Sequence, residues 1–207
     1  MAERAEISYV ESLGAGARCA VKRRSAMDKA WANEVLSFWF DELTPEDWYS
    51  GKPAVDEAIA DRFSELYETL KAGAPTFTDG REALAAVIVY DQFPRNMFRK
   101  RADAFGTDNL AIGIARDAVL KGFDRDMTAN EKQFLYMPFM HSEILAEQER
   151  GVDLFKSLGN ENATKYAIEH RDIIAKFGRF PHRNKALGRT STPVEEEFLK
   201  DHSGFGQ

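Results

Sequence analysis

A chain of 207 residues with 43% hydrophobic and 30% charged side chains has the length for one domain with a real core, and its composition excludes a disordered polymer. The net charge of −6 argues against a protein devoted to gripping phosphate backbones, so nucleic acid is not an expected partner. A single cysteine, Cys19, excludes an internal disulfide and a cysteine-based zinc site.

Residues 1–26 show little periodicity and hold a basic cluster of Arg18, Lys22, Arg23 and Arg24. They are expected to form a poorly ordered leader, with Met27 as the expected true start, because helical patterning begins directly after it. They carry no apolar stretch of the secretory kind, and Glu3, Glu6 and Glu11 are unlike a mitochondrial presequence, so a cytoplasmic location is expected. The longest apolar runs, residues 83–90 and 134–140, are far short of a membrane span.

A single helical domain is expected over residues 27–200, with a frayed tail at 201–207. Residues 28–43 place Trp31, Val35, Phe38 and Trp39 on one helical stripe. Residues 53–72 open on Pro53 and repeat Ile59, Phe63, Leu66, Tyr67 and Leu70 at helical spacing, with Gly73 as the stop. Asp79 and Glu82 form a capping-box-like start to a helix through Leu84, Val87 and Ile88, which Pro94 is expected to end near Phe93.

Thr107 is expected to cap a helix that runs to Lys121 and closes at Gly122. Thr128 and Glu131 read as a capping box, and Pro138 as a break or kink. Ser142 is expected to cap a helix to Leu158. Residues 163–177 carry Tyr166, His170, Ile173, Ile174 and Phe177 on one face and stop at Gly178, and Thr192 with Glu195 starts a last short helix. No segment alternates with period two, so the fold class is all-α, built of antiparallel helical hairpins. No 34-residue repeat signature is visible.

Three polar knots stand out from this helical background. Asp91-Gln92-Phe93-Pro94-Arg95-Asn96 and Phe180-Pro181-His182-Arg183-Asn184 share an order of residue types, and Pro138 to Glu143 lies between them. Arg95, Arg99, Arg179, Arg183 and Arg189 cluster near two predicted helix ends, where cations offset the negative end of the helix dipole. Five guanidinium groups exceed what two helix ends need, and planar forks also suit a carboxylate or phosphate ligand.

Three histidines, His141, His170 and His182, fall in or next to the knots. With Glu143 or Asp172 they have the donor types of a metal site, but no pair of histidines lies four apart, and no metal or cofactor is expected. Acid–base chemistry is open to His141 or His182 with Glu143 or Asp91, because imidazole titrates near neutrality and a carboxylate orients it. Carboxylate–arginine pairing accounts for the same residues without chemistry. Residues 97–101, Met-Phe-Arg-Lys-Arg, mix aromatics with positive charge, but in an acidic chain they read as a solvated face.

Four stretches together resemble the bacterial domain-of-unknown-function family 924. They are Val35-Leu36-x-Phe38-Trp39-Phe40, the Asp91–Asn96 string, residues 134–143, and His170-Arg171-Asp172 through Arg189-x-Ser191-Thr192. The resemblance implies an all-helical fold similar to a tetratricopeptide-repeat-like right-handed superhelix, and no established activity. It carries the family's polar positions onto Asp91, Gln92, Arg95, Asn96, His141, Ser142, Glu143, Gln148, His170, Arg179, His182, Arg183, Asn184 and Arg189. The leading expectation is a binding protein whose Arg/His/Asn-lined concavity holds a small anionic molecule or an acidic peptide terminus, without nucleic acid or membrane as partner. The rival is a hydrolase-type enzyme using His141, Glu143 and His182; a third is a structural network that closes the helix stack.

Overall fold

The computed structural model describes residues 29–73, 77–202 and 204. The leader expected at 1–26, the start expected at Met27, Cys19 and most of the expected tail lie outside the described residues. The described elements are all helical. Helix α1 is Ala30–Ser37 and runs into a π turn, Phe38–Glu42; α2 is Pro53–Gly73. Helix α3, Gly80–Val87, passes through a second π turn, Ile88–Gln92, into the short α4, Phe93–Met97. Then follow α5 (Asp108–Lys121), α6 (Ala129–His141), α7 (Leu145–Ser157), α8 (Glu161–Phe177) and α9 (Pro193–Asp201).

Local chemistry sets most of the helix ends. Asp79 accepts from the Glu82 amide at 2.9 Å, and Thr128–Glu131 and Thr192–Glu195 each close a reciprocal capping box. Gly122 and Gly178 stop α5 and α8 at φ of 70° and 69°, in the left-handed region where a side chain is strained.

Four expectations are corrected. Pro94 does not end the preceding helix: the π turn carries the chain onward and Pro94 sits in the first turn of α4, where its missing amide costs nothing. Pro138 does not break α6, which continues through it to His141. Thr107 makes no cap, because its hydroxyl instead donates to the buried Tyr90 carbonyl at 2.6 Å. Ser142 closes α6 rather than opening α7, whose N-cap residue, Ile144, makes no side-chain cap.

Packing brings distant parts of the chain to the end of α6. Helix α1 packs on α3, α2 on α4, and α5 on both α3 and α6, while α7 is held between α6 and α8. The main core is aromatic. Phe63 of α2 stacks on Phe93 at 4.9 Å, and Phe134 of α6 meets the edges of Trp39 and Trp48 at 5.3 and 4.9 Å. Gly151 allows the close approach of α7 to α6, since a Cβ there would lie 3.0 Å from that of Phe139. A smaller apolar cluster of Ile173, Ile174 and Phe180, flanked by Phe177 and Phe198, ties the turn after α8 to α9.

Candidate functional site

The second π turn decides where the first knot points. A π turn inserts one residue into the helical register and re-aims the side chains that follow. Asp91, in this turn, is wholly buried. Its two carboxylate oxygens lie 2.8 and 2.9 Å from His141 Nδ1 at the end of α6, and one accepts from Gln92 Nε2 at 2.5 Å. Arg95 donates to the Asp91 carbonyl and stands 3.4 Å from its carboxylate.

The third knot reaches the same place from the other side. Arg183 Nη2 donates to the His141 carbonyl at 3.0 Å, and Nη1 donates to Asp108 Oδ2 at 3.1 Å. Asp108 also receives both terminal nitrogens of Arg95, at 2.9 and 3.1 Å. One carboxylate at the start of α5 therefore bridges two arginines from different knots. The Arg183 guanidinium lies over the rings of Phe105 and Phe180, 4.6 Å from each centroid. The His170 ring sits 6.3 Å from His141 and edge-on to Phe180, with Nδ1 on the Tyr166 carbonyl at 2.7 Å.

Electrostatics assign the charges. Burial pushes the Asp91 carboxyl up, but Arg95, His141 and the hydrogen bonds it accepts outweigh burial and hold it below the ordinary range, so it is ionised. Burial lowers His141 despite the neighbouring Asp91, and Arg95 adds to the effect. The pair is thus carboxylate with neutral imidazole, with the ring proton on Nδ1 facing Asp91. Burial and His141 push His170 down to about 3, and burial pulls Arg183 down to about 10 against the attraction of Asp108. Arg183 remains charged at neutral pH.

The other expected residues form neighbouring structures. Glu143 accepts from both terminal nitrogens of Arg189, at 2.7 and 2.9 Å, and from the Phe180 amide at 2.8 Å, which pins the 180s turn to the end of α6. Asn184 accepts from Arg189 Nε at 2.9 Å. Arg179 is bound bidentately by Glu195 of α9 at 2.6 and 2.7 Å. Asn96 and Arg99 face away from this cluster and share Asp56 of α2. Gln148 ties the Met140 and Ser142 carbonyls together, both at 2.6 Å. His182 meets His202, whose Nδ1 is 2.9 Å from His182 Nε2 and whose Nε2 is 2.9 Å from Glu169.

Beside Arg183 a cavity of about 290 Å³ opens between the end of α8, the 180s turn and α9. Its wall includes His170, His182, Arg183, Lys185, Ser191 and His202, and no described lining residue is an Asp or Glu. Lys185 and Asp108 escaped sequence reasoning, and Ser191 entered it only within a motif string. Lys185 directly follows the Phe180–Asn184 knot and was available to it; the role of Asp108 depends on arginines 13 and 75 residues away. Among the described residues no group of three or more His, Cys, Asp or Glu is placed to hold a metal ion.

Residues 35–203 match the model of a family described as bacterial protein of unknown function, DUF924. The chain belongs to that family. A solved structure, that of the protein of unknown function ATU0120 from Agrobacterium tumefaciens, is similar to this DUF924 chain at 35% identity, with a TM-score of 0.80 over 84% of this chain and 98% of the other. Among curated proteins none matches. No helix of the described residues of this DUF924 chain is long and apolar enough to cross a membrane.

Proposed function

We propose that the chain binds a small anion, a carboxylate- or phosphate-bearing molecule or the acidic end of a peptide, in the cavity beside Arg183. The observation that carries this reading is the sign of the wall: Arg183 and Lys185 border the space, with three imidazoles and a hydroxyl, and no carboxylate is among the described lining residues. In a chain of net charge −6 that local reversal favours a negatively charged guest. The volume, about 290 Å³, is at the lower end of the roughly 300–1,000 Å³ usual for ligand pockets, which suits a small molecule. Arg183 is held in place by Asp108, the His141 carbonyl and two aromatic faces, so little side-chain entropy is lost on binding. The sequential packing of α5 to α8 supports a tetratricopeptide-like superhelix as the scaffold.

Titration calorimetry with succinate at low ionic strength tests this. Saturable binding is expected in the wild type. Lys185→Glu changes an exposed side chain and brings a carboxylate to the wall, so affinity should fall at least about tenfold while the melting temperature holds. Equal binding in the variant, or none in the wild type, contradicts the reading.

A further inference from the structure

His141 stands one layer behind the cavity wall, joined to it through two lining residues. Its carbonyl holds Arg183 Nη2 at 3.0 Å, and its ring lies 6.3 Å from His170. It is not sealed off. Gln92, Arg95, Met137, His141, His170 and Arg183 each keep 5–8% of their surface in contact with solvent, whereas Asp91 behind them keeps none. These residues come from four segments, the π turn with α4, α6, α8 and the 180s turn, which meet around the end of α6.

The Asp91 carboxylate is an acceptor only, so the His141 nitrogen between its oxygens is the protonated one. A neutral imidazole with its proton on Nδ1 offers a lone pair at Nε2. That nitrogen makes no hydrogen bond to any of the described residues. Nearby, Arg95 Nε is enclosed without a partner among the described residues. A guest hydroxyl that donates to Nε2 supplies the partner that the described residues do not.

We infer that the guest is a hydroxy acid: an anion whose acid group lies against Arg183 and whose adjacent hydroxyl donates to His141 Nε2. Asp91 then acts as a positioning residue, fixing the tautomer that makes His141 an acceptor. The same arrangement is what a general base requires, a neutral imidazole oriented by a carboxylate beside a hydroxyl proton. This inference rests on the anion-binding reading of the Arg183 cavity.

Malate and succinate separate the two ideas, because they are dicarboxylates that differ by one hydroxyl. By calorimetry, L-malate should bind the wild type about tenfold more tightly than succinate, the worth of one well-placed hydrogen bond. His141→Asn keeps an amide donor for Asp91 and removes Nε2, so it should lose the malate preference while still binding succinate. Nitrogen-15 spectra of histidine-labelled wild type give a second readout. They should show a bare Nε2 on His141 whose resonance moves with malate and stays put with succinate. Equal affinity for the two acids overturns the inference and leaves anion binding standing, as does a malate preference that survives in His141→Asn. Failure of both acids to bind overturns both.

Discussion

Replacing Asp108 by asparagine takes the shared counter-charge from two buried guanidinium groups at once. Arg95 retains the Asp91 carboxylate at 3.4 Å, but Arg183 keeps only the His141 carbonyl at 3.0 Å and the two ring faces. The Arg183 and Arg95 side chains are 7% and 9% exposed, so water replaces little of what is lost. Breaking a buried ion pair from one side typically costs about 3–5 kcal/mol. The asparagine oxygen still accepts one hydrogen bond and Asp108 is itself 17% exposed, which places the expected loss near the lower bound, about 3 kcal/mol. For a domain of this size that lowers the melting temperature by roughly 6–12 °C. Urea unfolding should show the midpoint shifting with an unchanged slope. Asp153→Asn, which breaks only the exposed pair with Lys156 at 3.7 Å, serves as the control and should change stability by less than about 0.5 kcal/mol. A loss below about 1 kcal/mol for Asp108→Asn would refute the view that this carboxylate holds the two knots together.

Two further substitutions probe the frame of the site. Hydrogen bonds from Arg179 and the Thr192 amide hold the Glu195 carboxyl down to about 2, so its contribution is complete above the ordinary glutamate range and fades as pH falls through that range toward 2. Glu195→Gln should therefore lack that part of the acid-induced loss, measured as urea midpoints between about pH 6 and 3; an identical pH slope in the two proteins would contradict this assignment. Gly151→Val pushes side-chain atoms into Phe139, whose Cβ already lies 3.0 Å from where a Cβ would stand. It should cost about 1–3 kcal/mol by chemical denaturation, and unchanged stability would mean that α6 and α7 can part freely.

What the sequence made legible is what local chemistry decides. Thr128, Thr192, Gly122 and Gly178 mark helix ends because their caps and left-handed turns involve neighbours a few residues away. The continuation of α3 through the π turn into α4 was hidden, since packing of Ile88, Phe93 and their neighbours overrides the local preference before Pro94. Thr107 was misread for a similar reason: its partner, the Tyr90 carbonyl, lies 17 residues away, while its spacing from the next helix matches a cap. The meeting of the three knots could be expected from their unusual density of Arg, His and Asn. The balance of charge among them could not, because it depends on Asp108 and Glu195, which look like ordinary first-turn acids in the sequence. Glu143, expected as a catalytic candidate, spends its oxygens on Arg189 and the Phe180 amide.

The most direct test of the central claim, that segments distant in sequence build one anion-binding hollow around Arg183, is a crystal structure of the protein grown with L-malate. The expected result is a carboxylate against Arg183 and Lys185, with the hydroxyl turned toward His141. A cavity that excludes the acid at saturating concentration, or malate seated on another face of the helix stack, would contradict it.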